Sequence, residues 1–175
     1  MNRARRFAVG LTGVLLAAVL FRAQIGSALI VRGDDFLYRN DTAQARRYYA
    51  RALRVDPDSR AAADRFAFFG MQMRTRQSFT SSIAIATTYL KGHPNDTTLL
   101  VDRALGYLAE RRFQPAQADF ERAARLTRDP RFYTFAGWAA RRNGASNRAR
   151  ALWRTALRMH PGYRPAVRAL KIAAS

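Results

Sequence analysis

The sequence predicts an all-α protein: an N-terminal hydrophobic helix, then a solenoid of about four stacked helix pairs, then a short capping helix. Three observations predict it. Helical apolar patterns stop on a proline and start again, in "ARALRVDPDS", "YLKGHPNDTT" and "TALRMHPGYR". Small and aromatic residues recur at fixed distances before those prolines. The chain opens on a basic cluster, "MNRARR", joined to an uncharged apolar run, "FAVGLTGVLLAAVLF".

Residues 1–25 form the first element. Crossing the hydrocarbon core of a bilayer takes about 20 apolar residues. The strict run, 7–21, is shorter, but Arg22 can extend its aliphatic stem and place its charge among the headgroups. A cleavable signal peptide has the same basic and apolar regions, with Gly26 and Ala28 as small residues near a cleavage point. A buried core helix is the third reading, and the arginine cluster running straight into an all-round apolar stretch argues against it. The anchor is preferred, flanked by Arg3, Arg5, Arg6 and Arg22. With Arg3, Arg5, Arg6 and the amino terminus on one side and Arg22 and Arg32 on the other, the charge bias puts the N-terminus in the cytoplasm. The rest of the chain then lies outside a bacterial inner membrane as the domain of a single-pass protein. The alternative is a secreted or periplasmic chain cleaved near Ala28.

The repeats follow. Counting back from Pro57, Ala52 lies five residues earlier, Tyr49 eight, Ala45 twelve, Gly33 24 and Leu29 28. The same offsets from Pro161 give Ala156, Trp153, Ala149, Gly137 and Tyr133. From Pro94 they give Tyr89, Ala86, Ser82, Gly70 and Phe66, with large and small residues exchanged in the second helix. A further unit reads Leu100, Ala104, Tyr107, Ala116, Phe120 and Ala123, with its proline late at Pro130. Small residues let paired helices approach closely. Tyr49, Phe120 and Trp153 fill the space between them, at the i, i+4, i+7 spacing that buries one helical face. Proline ends each pair because it cannot continue a helix and disfavours helical geometry before it. Inside the pairs, Asn40, Asp41 and Thr42 are helix-start residues, Pro115 suits a first helical position, and Asn143-Gly144 makes a turn. After Pro161, Pro165 opens a segment with Val167, Leu170 and Ala174 at helical intervals, a cap over the last pair.

These offsets resemble the tetratricopeptide repeat family across residues 26–163, in units 26–59, 63–96, 97–130 and 130–163, with 164–175 as the capping helix. The resemblance implies antiparallel helix pairs in a right-handed α-solenoid, whose concave face is lined mainly by the first helix of each pair. Carrying the register over places Asp34, Leu37 and Tyr38 on that face in the first unit and Met71 and Arg74 in the second. Asp102, Leu105 and Leu108 follow in the third, and Trp138, Arg141 and Arg142 in the fourth. A groove with Tyr38, Met71, Leu105 and Trp138 suits a peptide with apolar anchors, although aromatics at helical spacing also pack neighbouring repeats. The carboxylate-clamp subset of the family puts Lys, Asn and Arg where this chain has Ile30, Asp34, Phe68, Thr98 and Asp102, so binding of chaperone C-terminal tails is not expected.

No catalytic, cofactor or metal set stands out. There is no cysteine, which removes disulfides, thiolate ligands and thiol nucleophiles. His93 and His160 each precede a terminator proline, in equivalent turns two units apart. Glu110 and Glu121 are the only glutamates, and no acid pair, Gly-rich loop or HExxH motif points to catalysis. Asn40-Asp-Thr and Asn95-Asp-Thr match a glycosylation sequon and ordinary helix-start chemistry equally well. The formal charge is +19, almost all of it arginine, since Lys91 and Lys171 are the only lysines. That balance fits an anionic neighbour such as lipid headgroups or an acidic polymer, with Arg141, Arg142, Arg148, Arg150 and Arg154 as a candidate patch. An arginine-biased genome produces the same composition with no binding role. The leading expectation is a non-catalytic, membrane-tethered scaffold or accessory subunit that docks a protein partner. A polyanion- or anionic-lipid-binding module is the alternative, and nucleic acid is not expected.

Overall fold

A computed structural model of the chain describes the backbone of residues 3–173 and the side chains from residue 16 to 173. Among the described residues there are nine helices and no strands. They are α1 (Arg3–Tyr38), α2 (Thr42–Val55), α3 (Arg60–Gln72), α4 (Arg76–Gly92), α5 (Thr97–Ala109), α6 (Phe113–Thr127), α7 (Pro130–Arg142), α8 (Ser146–Met159) and α9 (Arg164–Ile172). The fold is all-α, with an apolar N-terminal helix, helix pairs and a short last helix. The chain forms two compact units, Met1–Phe66 and Ala67–Ser175.

In the first unit α1 packs along α2. The register read from Pro57 is realised as a steric fit. A methyl group added at Gly33 would stand 2.5 Å from Tyr49 Cε1 and 2.9 Å from Cδ1, so only glycine lets the phenol lie against the α1 backbone. Tyr49, Ala45 and Ala52 are fully buried. Asp41 caps α2 by accepting from the Gln44 amide at 3.0 Å, which satisfies one of the amides that a helix start leaves without a partner. No break separates the hydrophobic segment from the first repeat. The backbone is helical straight through Gly26, and α1 is 36 residues long.

In the second unit each helix from α4 to α9 packs on the next, and α9 also touches α7. Gly137 repeats the role of Gly33: an added methyl would meet Trp153 Nε1 and lie 2.6 Å from Cδ1. Trp153, Phe120, Ala116, Ala149 and Ala156 are fully buried in one cluster, which Ala166 and Ala169 of α9 extend. Trp153 Nε1 donates to the Thr134 carbonyl at 3.1 Å, so the indole enters the core with its polar atom satisfied. Gly106, which the spacing argument passed over in favour of Ala104, is the point where α5 meets α4: an added methyl would be 2.7 Å from Ile83 Cγ1.

Two helix starts differ from the sequence reading. α6 begins at Phe113, so Pro115 is its third residue. Proline is tolerated there because amides in the first turn have no intrahelical acceptor. Pro165 is the second residue of α9. The late Pro130 opens α7 behind the N-cap Asp129. Asn40, Arg74, Arg111 and Gly144 sit at φ values of 60°, 52°, 59° and 80°. All four lie in the turns inside the pairs, so the left-handed residue recurs with the repeat although glycine fills it only once.

Candidate functional site

Three residues expected on the partner-binding face converge in the second unit. Leu108 from α5 and Trp138 and Arg142 from α7, with Phe113 at the start of α6, line a surface cleft of about 260 Å³. α5 and α7 are the first helices of consecutive pairs, and α6 positions them by packing against both. Three apolar side chains beside one exposed guanidinium can hold an apolar anchor next to a carboxylate. Trp138 is shared between this cleft and the core, its ring centroid 5.1 Å from that of Trp153. Arg141 stands 5.8 Å from the Trp138 ring centroid. Leu105 is 40% exposed.

The other candidates are placed differently. Asp34 belongs to the packing of the first unit: its Oδ1 accepts from Tyr49 Oη at 2.7 Å and from Arg65 Nε at 2.8 Å. Burial, then the Asp34 carboxylate, holds the Tyr49 hydroxyl well above the ordinary phenol range. Asp102 is 6% exposed and lies in the interior. Leu37 is half-buried, whereas Tyr38 is 95% exposed. Met71 is half-buried, its Sδ 3.7 Å from a methyl placed on Gly106. Arg74 falls beyond the end of α3, in the left-handed turn before α4. At the clamp positions Ile30 is buried and Phe68 is half exposed. Arg3, Arg5 and Arg6 lie on α1, with side chains outside the described residues. Arg22 is exposed, and its Nε donates to the Val55 carbonyl at 2.9 Å.

The arginine patch at the far end is partly committed to internal bonds. Arg148 pairs with Glu121 at 2.5 Å, and Arg150 donates to Asn147. Arg103 forms a two-pronged pair with Asp119, both contacts at 2.7 Å, and that hydrogen bonding raises the Arg103 pKa. His93 and His160 are C-caps of α4 and α8, and His93 stacks on Tyr89 with ring centroids 4.4 Å apart. Among the described residues, no group of three or more His, Cys, Asp or Glu could hold a metal ion.

A second cleft, of about 590 Å³, escaped the sequence reading. Arg76, Phe79 and Thr80 of α4 face Ala109, at the end of α5, and Glu110, Arg111 and Arg112 of the α5–α6 turn across it. Glu110 accepts from Thr80 at 2.5 Å and pairs with Arg112 at 3.5 Å. The signal was the run "ERRF" at a turn, but nothing in its spacing shows that Arg76 comes alongside.

No protein-family model matches the sequence, and no curated protein matches it. Solved structures do match in shape. A MamA protein superposes with a TM-score of 0.76 at 16% identity, covering 86% of this chain and 81% of that one. MamA from Desulfovibrio magneticus RS-1 gives 0.67 at 12% identity, covering 79% and 77%. A tetratricopeptide repeat protein from Parabacteroides merdae gives 0.71 at 18% identity, covering 86% of this chain and 59% of that one. At such identities the likeness speaks to the fold alone, and the fold is tetratricopeptide-like.

Proposed function

We propose that this tetratricopeptide-like chain is a membrane-tethered interaction module that docks a protein partner on the first helices of its repeats. It belongs to the class of scaffolds and fixed accessory subunits. The observation that carries the proposal is the continuity of α1. α1 is long and apolar enough to cross a membrane by length and composition, its described residues ahead of Arg22, Leu16 to Phe21, are exposed, and from Arg22 onward the same helix packs the first repeat. Repeat folds of this kind present side chains from successive first helices as one extended surface, and here Leu108, Trp138 and Arg142 are such side chains. The partner segment that fits them carries an apolar residue beside an acidic one. The proposed topology leaves the basic N-terminus in the cytoplasm and the repeats outside.

The test is mild-detergent extraction of native membranes followed by native sizing. Co-migration with one stoichiometric assembly, lost on Arg142→Glu while helix content and membrane association persist, is the expected result. Trp138→Ala should act in the same direction, with some loss of stability through Trp153. A chain that stays soluble after lysis, or an assembly indifferent to both substitutions, would sink the proposal.

A second reading, binding of an anionic polymer or lipid surface, draws support from exposed Arg76, Arg111 and Arg112 around one open cleft. Such binding should weaken steeply with added salt. Association that ignores salt would remove it.

A further inference from the structure

We infer that the bilayer boundary lies at Arg22, and that the α2–α3 turn, Asp56 to Ser59, is seated on the lipid headgroups with no linker between membrane and first repeat. The inference rests on the membrane-tether reading and deepens it.

Four observations on the first unit lead there. First, α1 is unbroken for 36 residues, about 54 Å of helix at 1.5 Å per residue. Second, its contacts with α2 stop at a definite level. Arg22 Nε donates to the Val55 carbonyl at 2.9 Å, and a methyl on Gly26 would stand 3.4 Å from Asp56 Cβ. Third, on the N-terminal side of that level the described residues are apolar and unpacked all round the helix. Leu16, Val19, Leu20 and Phe21 are 62%, 58%, 56% and 64% exposed, and with Ala17 and Ala18 they occupy every direction around the axis at 100° steps. A protein groove covers one stripe of a helix. Lipid chains cover the whole circumference, and this stretch has no polar side to turn toward water. Fourth, Arg22 is the first charged residue after position 6, so the change from apolar to charged falls where the packing on α2 begins.

The Arg22–Val55 bond fixes more than a level. Carbonyls in the last turn of a helix have no intrahelical donor, and a cation there also meets the negative end of the helix dipole. The guanidinium closes the C-terminus of α2 and keeps further N–H groups for lipid phosphate. α2 therefore returns alongside α1 to the level of Arg22, and its terminus comes down with it. From Arg22 to Tyr38 the helix rises about 24 Å, which places Tyr38 and the α1–α2 turn far from the headgroups. Arg51 and Arg54, both exposed in the last turns of α2, lie toward the membrane end. Cleavage near Ala28 would remove Arg22 and Gly26 and uncover the Val55 carbonyl, so the first helix pair is complete only with the hydrophobic segment attached.

The chain has no cysteine of its own, which makes site labelling direct. Full-length Phe21→Cys, Asp58→Cys and Tyr38→Cys proteins would carry a nitroxide label in phosphatidylcholine–phosphatidylglycerol vesicles. Relaxation by oxygen and by a water-soluble nickel chelate then reports depth. The expected result is Phe21 in the hydrocarbon, Asp58 at the headgroups and Tyr38 in water. Adding Arg22→Ala to the Asp58 label should shift it to a water-like signal at unchanged helix content, with Arg22→Lys restoring part of the depth. If the protein fails to float with the vesicles, the tether itself is wrong. If it floats with Phe21 in hydrocarbon but Asp58 as wet as Tyr38, the tether stands and this inference is overturned. An Asp58 depth indifferent to Arg22→Ala overturns the role of Arg22 in setting it.

Discussion

The first and last helix pairs solve one steric problem with two polar solutions. In α1–α2, Gly33 opens the space that Tyr49 fills; in α7–α8, Gly137 opens it for Trp153. Each aromatic carries a polar atom into the core. The Trp153 N–H reaches a main-chain carbonyl, Thr134, within its own pair. The Tyr49 hydroxyl instead uses the Asp34 carboxylate, which in turn holds Arg65 of α3. The neutral solution needs nothing beyond the pair. The charged solution recruits the following helix and makes the first pair sensitive to pH. The outer ends differ too. α7 starts at a capped proline and is covered by α9, whereas α1 continues past Arg22 through the exposed apolar residues Leu16 to Phe21.

The largest test of that comparison is Trp153→Ala, which should cost about 3–5 kcal/mol as a buried aromatic deletion. Urea unfolding followed by circular dichroism would measure it, and a loss below about 1 kcal/mol would mean that the second-unit core does not depend on the indole. Next come Gly137→Ala and Gly33→Ala, with about 1–3 kcal/mol expected for overpacking. Gly137→Ala should be the worse, because the indole is pinned to a backbone carbonyl while the phenol can move with its carboxylate. Equal costs would break the comparison.

Tyr49→Phe should cost about 0.5–1.5 kcal/mol near neutral pH, with a sharper signature in alkali. Folding raises the Tyr49 pKa above its ordinary 10.0. The native state therefore holds this proton more tightly than the unfolded chain, and the stability it contributes is complete below pH 10 and falls as pH rises beyond it. The substitution should flatten that alkaline fall; an unchanged slope would show that the Tyr49–Asp34 bond is not in force. The smallest effect belongs to the last pair. The Arg131 side chain, hydrogen-bonded to Asp129, lowers the Asp129 pKa below 3.8, so its contribution is present above about pH 4 and lost as pH falls through the lowered value. Asp129→Asn keeps a helix-capping side chain and should leave the urea midpoint close to that of the parent chain, since the Arg131 side chain is exposed and its charge screened. A larger change at neutral pH would mean that the ion pair, not the cap, secures the start of α7.

Read from the chain alone, the repeat was legible because close packing leaves a one-dimensional trace. Gly33 with Tyr49 and Gly137 with Trp153 show the same interval because each glycine must face its aromatic across one turn. Gly106 escaped that argument because its partner, Ile83, belongs to the preceding repeat. The candidate face was half legible. Leu108, Trp138 and Arg142 line one cleft, and Phe113 joins them because α6 begins two residues before Pro115. Asp34 and Asp102 carry the same charge in sequence as any surface acid, and only their neighbours show that Asp102 is interior and that Asp34 is held by Tyr49 and Arg65.

By itself the sequence determined the helices, their pairing and the apolar segment ahead of them, because helix period, proline geometry and glycine size act over a few residues. Tertiary structure alone decided which polar groups those helices bring together. Arg22 and Val55 stand 33 residues apart, and no periodicity links them. They meet because α1 is straight enough, and α2 long enough, for one helix to end beside the other.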